Sequence, residues 1–141
     1  MTTLAVVPRL FEQVILGNLD LVNDTYHILL LNDTAEIPSN FYTVTNLLSS
    51  QINPTGDYVA GGAVAPNITA GYNVFEKITD VIMEDIVLSN LTGSVKYMVV
   101  YKKGTTGAYT DLPLFVITYA TPETFVGSNM DQEMPPYLMR L

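Results

Sequence analysis

The sequence predicts a mainly β protein, an antiparallel β-sandwich-like domain with one short N-terminal helix. Three observations carry this. Val95, Tyr97, Val99 and Tyr101 alternate with Lys96, Met98, Val100 and Lys102, and β-branched and aromatic side chains at period two fit a pleated sheet. Two further apolar runs of strand length lie at Thr25–Leu31 and Leu112–Ala120. Between Pro8 and Gly17 the apolar spacing changes to that of a helix. At 141 residues the chain suits one domain, and such a domain buries roughly two thirds of its unfolded surface without a disulfide or metal staple.

In chain order, Met1–Val7 is a mildly apolar arm. Pro8 sits where a first helical residue lacks a partner for its N–H anyway. Leu10, Phe11, Val14 and Ile15 then form one face, Arg9, Glu12 and Gln13 the other, and Gly17 supplies the stop. Asn18–Asn23 is a turn carrying the apolar plugs Leu19, Leu21 and Val22. In Thr25–Leu31 both alternating faces are apolar, which predicts a central strand. Ile37–Ile52 fits a short helix or an irregular segment, with Ser39 or Asn40 as cap. The paired Gly61-Gly62 predicts a bulge or a close backbone approach. Val64–Val74 reads as loop plus edge strand. Ile78, Val81, Ile82 and Ile86 fit a helical period by pattern alone. Val81–Lys103 reads as strand, turn, strand. Gly104–Tyr109 is a hairpin connection, Glu123–Val126 adds strand, Gly127–Met134 is a polar loop, and Pro135–Leu141 is an apolar tail.

Charged residues make up 14%, against ~25% in ordinary domains. Either partners cover part of the exterior, or the surface is built from Ser, Thr and Asn. The net charge of −8 with 6 Lys and Arg leaves no cation cluster for phosphates, so no nucleic-acid partner is expected. Met1–Val7 lacks the basic start and apolar core of a secretory signal. No apolar run approaches the ~20 residues that span a bilayer, so no membrane partner is expected either.

Chemistry is read mostly by exclusion. With 0 Cys there is no thiolate ligand or thiol nucleophile. One His, His27, inside a strand, reads as packed, and no metal or cofactor is expected. Glu84-Asp85 and Asp131-x-Glu133 read as solvated turns rather than cation sites. No Gly-x-Ser-x-Gly elbow or Gly-Lys phosphate step occurs, so the chain is not expected to be an enzyme. Asn23, Asn32, Asn67 and Asn90 each start an Asn-x-Thr triplet and read as Asn-Thr turns. The 9 Tyr could line a sugar site, but most alternate inside strands and read as packing.

Five blocks in order carry a resemblance. They are Asn23-Asp24-Thr25, Gly56-Asp57-Tyr58-Val59-Ala60-Gly61-Gly62, and Asp85-Ile86-Val87-Leu88-Ser89-Asn90-Leu91-Thr92. Then come Lys96-Tyr97-Met98-Val99-Val100-Tyr101-Lys102 and Leu112–Ile117. The set resembles a family of small tailed-bacteriophage virion proteins, variously structural, decoration or tail-associated. It spans roughly Pro8–Ala120. Leu88 stands where that family has Trp, Lys96 stands for Arg, and the tail after Ala120 is unlike it. The resemblance turns Ile78–Leu88 from helix to strand.

The resemblance implies a capsid decoration or cement protein of the virion, made in the host cytoplasm. It would bind the major capsid protein or other virion subunits as a homo-oligomer, a trimer. The partner contacts are expected on extended arms at 1–7 and 127–141, through Leu4, Val6, Val7, Pro135, Pro136, Tyr137, Leu138 and Met139; otherwise these arms pack on their own domain. The alternatives are a tail, neck or fibre-base component and a receptor- or glycan-binding β-sandwich module.

Overall fold

The computed structural model describes residues 2–140. In chain order its elements are β1 (Thr2–Val6), α1 (Arg9–Ile15), β2 (His27–Leu31), a 3-10 helix (Thr45–Ser50), β3 (Ala63–Val64), β4 (Ile68–Asn73), β5 (Ile78–Met83), β6 (Ile86–Thr106), β7 (Tyr109–Gln132) and β8 (Met139–Arg140). They form a five-stranded sheet in the order β1-β7-β6-β2-β3 and a three-stranded sheet in the order β4-β5-β8. Every pairing is antiparallel. The two sheets pack together as a sandwich, with α1 on the same side of the large sheet as the small one.

The five-stranded sheet is covered on both faces, as the doubly apolar β2 requires. Ile28, Leu30, Met98, Val100 and Ile117 face the core shared with α1 and the small sheet. Leu29, Leu31, Val99, Tyr101 and Val116 face a second core, closed by Phe41, Val44 and Leu47 of the 35–50 segment. The helix lies where expected, with Pro8 before it at φ −62° and Gly17 ending it at φ +77°, but its faces are corrected. Leu10 and Gln13 are the buried side chains while Ile15 is exposed, because Gln13, three residues after Leu10, shares its face and accepts there from Asn18 through its side-chain amide oxygen. The 35–50 segment is mostly irregular, with only Thr45–Ser50 helical.

β6 and β7 are one long ribbon of 21 and 24 residues, several times the usual strand length. This corrects two expectations. Ser89–Gly93 is no turn, and Gly127–Gln132 is no loop: Leu88 pairs with Met130, Leu91 with Ser128 and Thr92 with Val126. The reason is that residues tolerating positive φ serve bulges as readily as turns. Asn90 lies at φ +57°, Gly93 at +145° and Gly127 at +57°, and the register slips between Leu88 and Leu91 and again between Val95 and Tyr97. The bulges keep Ile86, Leu88, Leu91, Val95, Phe125 and Met130 in the core against Ile68, Val81 and Met83 of the small sheet. The true break lies at Glu84-Asp85, where Asp85 Oδ1 accepts the Met134 N–H at 2.7 Å.

Ile78–Met83 is strand, not helix. Val81 and Met83 are buried on one face while Ile78 and Ile82 are half-covered on the other, so apolar residues on both faces mimicked a helical period. Gly62 is the close approach expected: a Cβ there would lie 2.6 Å from the Ile28 carbonyl oxygen. Past the two-residue β3, β2 finds other partners. Ile52 N–H donates to Leu30 O at 3.0 Å, and Leu30 N–H donates to the Tyr58 hydroxyl at 3.3 Å. Among the described residues no helix is long and apolar enough to cross a membrane.

Candidate functional site

The expected arms are strands of the domain's own sheets. β1 pairs with β7 from Thr2↔Tyr119 to Val6↔Phe115. Leu4 and Val6 rest half-buried on the core between the sheets, and Val7 is buried with its N–H on Leu114 O at 2.8 Å. At the other end Leu138 is buried and donates to Val81 O at 2.6 Å, while Met139 pairs with Val81. Arg140 ties the tail down through Asp80 at 2.7 Å and Glu76 at 2.5 Å, its guanidinium 4.0 Å from the Tyr137 ring centre. Pro135 and Pro136 are exposed. Of the eight expected contact residues, Leu4, Val6, Leu138 and Met139 meet in the core between the sheets, and Leu4 and Pro135 share a surface cleft of about 510 Å³ that also holds Asp131 and Glu133.

The edge strand expected in Val64–Val74 is β4, paired with β5 in a hairpin; the surface that sequence reasoning missed is the tip of that hairpin. β4 is an edge strand, and Ile68–Asn73 (ITAGYN) contains no charge and no proline, two of the usual devices that blunt an edge. At its end Tyr72, Val74 and Phe75 are exposed, Phe75 at 94%. Asn73 shapes the tip, its Oδ1 accepting the N–H groups of Phe75 and Glu76 at 3.1 Å each.

On the opposite side of the five-stranded sheet, the 35–50 segment encloses a polar hollow of about 490 Å³ lined by Glu36, Asn40, Tyr42, Asn46 and Ser49. A second hollow of about 300 Å³ shares Tyr42 and Thr43 and is closed by Tyr109. The two hollows, here called the trough, adjoin at Tyr42 and Thr43. Its aromatic residues, Tyr42 and Tyr109, are bridged by Arg9 of α1. Arg9 Nη1 donates to the Tyr109 hydroxyl at 2.6 Å, and Arg9 Nε and Nη2 donate to Asn40 Oδ1 at 3.2 and 2.9 Å. The same guanidinium lies 5.7 Å from the Tyr42 ring centre and 5.4 Å from that of Tyr109. The two rings sit 6.2 Å apart at 46°. The segment is moored to the ribbon where Val44 N–H donates to Asp111 O at 3.1 Å.

His27 packs beside Tyr101, ring centres 6.2 Å apart. Burial first, and the Lys103 charge second, hold its imidazole below the ordinary value, which favours the neutral form; its Nδ1 is buried without a protein partner. Among the described residues no three His, Cys, Asp or Glu side chains cluster as metal ligands would. Comparisons with protein-family models, curated proteins and solved structures return no match.

Proposed function

We propose that the chain is a bacteriophage virion structural protein, a capsid decoration or cement protein that stabilises the head by binding coat subunits. The observation that carries this reading is the β4 edge of the β4–β5 hairpin, uncharged from Ile68 to Asn73 and ending in exposed Tyr72, Val74 and Phe75. An edge of this kind accepts a partner strand through main-chain hydrogen bonds while its apolar tip fills a pocket. Burying a Phe side chain contributes roughly 1.5–3 kcal/mol, which is about ten- to a hundredfold in affinity per copy. The protein acts as a homo-oligomer, a trimer, so that several such contacts add.

The test uses shells of the phage that encodes the chain. The protein is expected to co-sediment with expanded shells but not with precursor shells, and to raise the melting temperature of the former. Phe75→Ser is expected to weaken that binding about tenfold or more with the protein's own unfolding unchanged, because the ring is solvated. Retention on tails after the heads are disrupted would move the role to a tail, neck or fibre-base component. Absence from every virion fraction would end the proposal.

A further inference from the structure

We propose that the Tyr42–Tyr109 trough binds a neutral oligosaccharide. This goes beyond the virion role and does not depend on it. The trough lies over the second core, with Leu47 in its floor, whereas the hairpin belongs to the small sheet on the other side.

The chemistry of the walls selects the ligand class. The hollow of about 490 Å³ falls within the ~300–1,000 Å³ of small-molecule sites, yet it is lined mainly by hydroxyl, amide and carboxylate groups. Such a lining leaves an apolar ligand's surroundings unsatisfied and matches a ligand dense in hydroxyls, each both donor and acceptor. Asn40 Oδ1 accepts from Arg9, which leaves its NH₂, always a donor, as the amide group it can offer a ligand. The planar ends of Asn46 and Glu36 can each meet two neighbouring hydroxyls of a pyranose ring.

Two tyrosine rings stand beside this polar floor. The face of an aromatic ring is electron-rich and attracts the weakly positive C–H face of a sugar. Tyr42 is 47% exposed, so its ring has free surface to offer. Arg9 holds both rings in place through its hydrogen bond and its stacking, and a preset platform lowers the ordering cost of binding.

The same walls reject the other small-ligand classes. An anionic ligand would meet the Glu36 carboxylate and a net charge of −8, and the one cation at the site, Arg9, is already engaged by Asn40 and Tyr109. A single shallow trough of this kind binds weakly, in the millimolar range, and repetition of the chain on a larger assembly would multiply the avidity.

The full chain would be tested on an array of uncharged oligosaccharides of glucose, galactose, mannose and N-acetylglucosamine, with sialylated and phosphorylated glycans alongside. Any hit would be titrated by amide NMR. Binding of an uncharged glycan, with shifts at Tyr42, Asn46 and Tyr109, is expected. Tyr42→Ala and Asn46→Ala should each weaken it at least tenfold with unfolding unchanged, while Tyr42→Phe should retain most of it, because the ring face and not the hydroxyl does the stacking. The proposal is overturned if no uncharged glycan binds at millimolar concentration, if only anionic glycans bind, or if Tyr42→Ala binds as well as the parent.

Discussion

Replacing Gly62 with Ala tests whether the seam beside β2 is set by backbone contact. Gly62 lies at φ +110°, a conformation whose cost to an L residue is about 1–3 kcal/mol. Its new methyl would also stand 2.6 Å from the carbonyl oxygen and 3.1 Å from the carbonyl carbon of Ile28. Ile28 is buried and paired to both Val100 and Ala63, so it cannot retreat freely, and forcing an extra methyl into such a site costs about 1–3 kcal/mol more. The total is about 2–6 kcal/mol. Gly104 is the control: at φ +90° it carries the same kind of strain, but nothing lies within 4 Å of its added Cβ. In urea, with a slope of about 2 kcal/mol per M, Gly62→Ala should lower the unfolding midpoint by about 1–3 M and Gly104→Ala by about 0.5–1.5 M. Equal losses in the two variants would refute the claim that the Ile28 carbonyl is what demands glycine.

Three further outcomes follow from the described contacts. Tyr58→Phe removes the acceptor of the Leu30 N–H and the donor to Gln51 Oε1 at 2.9 Å; a buried polar group left unpaired costs about 1–3 kcal/mol, read as a lower urea midpoint and faster exchange of the Leu30 amide. Burial pushes the Tyr58 hydroxyl up to about 12 from 10.0 and raises those of Tyr26 and Tyr119. The fold favours the neutral phenol, so this stability is full below pH 10 and is lost as pH rises through about 12. Tyrosinate absorbance from these rings should therefore appear together with loss of β-sheet circular dichroism, and their titration near pH 10 with the sheet intact would contradict it. Arg140→Gln breaks the pairs to Glu76 and Asp80; solvent screens pairs at the surface, so the global midpoint should hardly move while limited proteolysis around Pro135-Pro136 accelerates, as it should for the parent in high salt.

Much of the fold was legible because burial writes a period into the chain. β2 is apolar on both faces and lies between β6 and β3, and the Gly61-Gly62 pair sits against another backbone. The long ribbon was misread at its bulges. Its core-facing residues Ile86, Leu88, Leu91, Val95, Met98 and Val100 step by two, three, four, three and two. Each step of three coincides with a register slip, whereas Asn90 and Gly93 read locally as turn residues. A spacing of three between otherwise alternating residues is the signal that separates bulge from turn. The trough left almost no local trace, since Arg9, Tyr42 and Tyr109 meet only once α1, the 35–50 segment and the ribbon's end come together. Tyr42 and Tyr109 do share one clue: neither belongs to an alternating strand core.

The low charge content posed two explanations, covered apolar surface or a polar surface of Ser, Thr and Asn. Both kinds of surface occur in the fold. Tyr72, Val74 and Phe75 are exposed together at the β4–β5 tip and Ile15 and Leu16 at the end of α1, while Val59, Val64, Val87 and Val126 are exposed elsewhere. The 35–50 segment is rich in uncharged polar residues, and Glu36 is its only residue charged at neutral pH. Covering neutral hydroxyls and amides costs less desolvation than covering ions, provided their hydrogen bonds are replaced. A sugar replaces them in kind, whereas an apolar partner surface does not. The two surfaces therefore favour different occupants for one reason, and a protein held through its hairpin would keep the trough turned away from the surface it is held on.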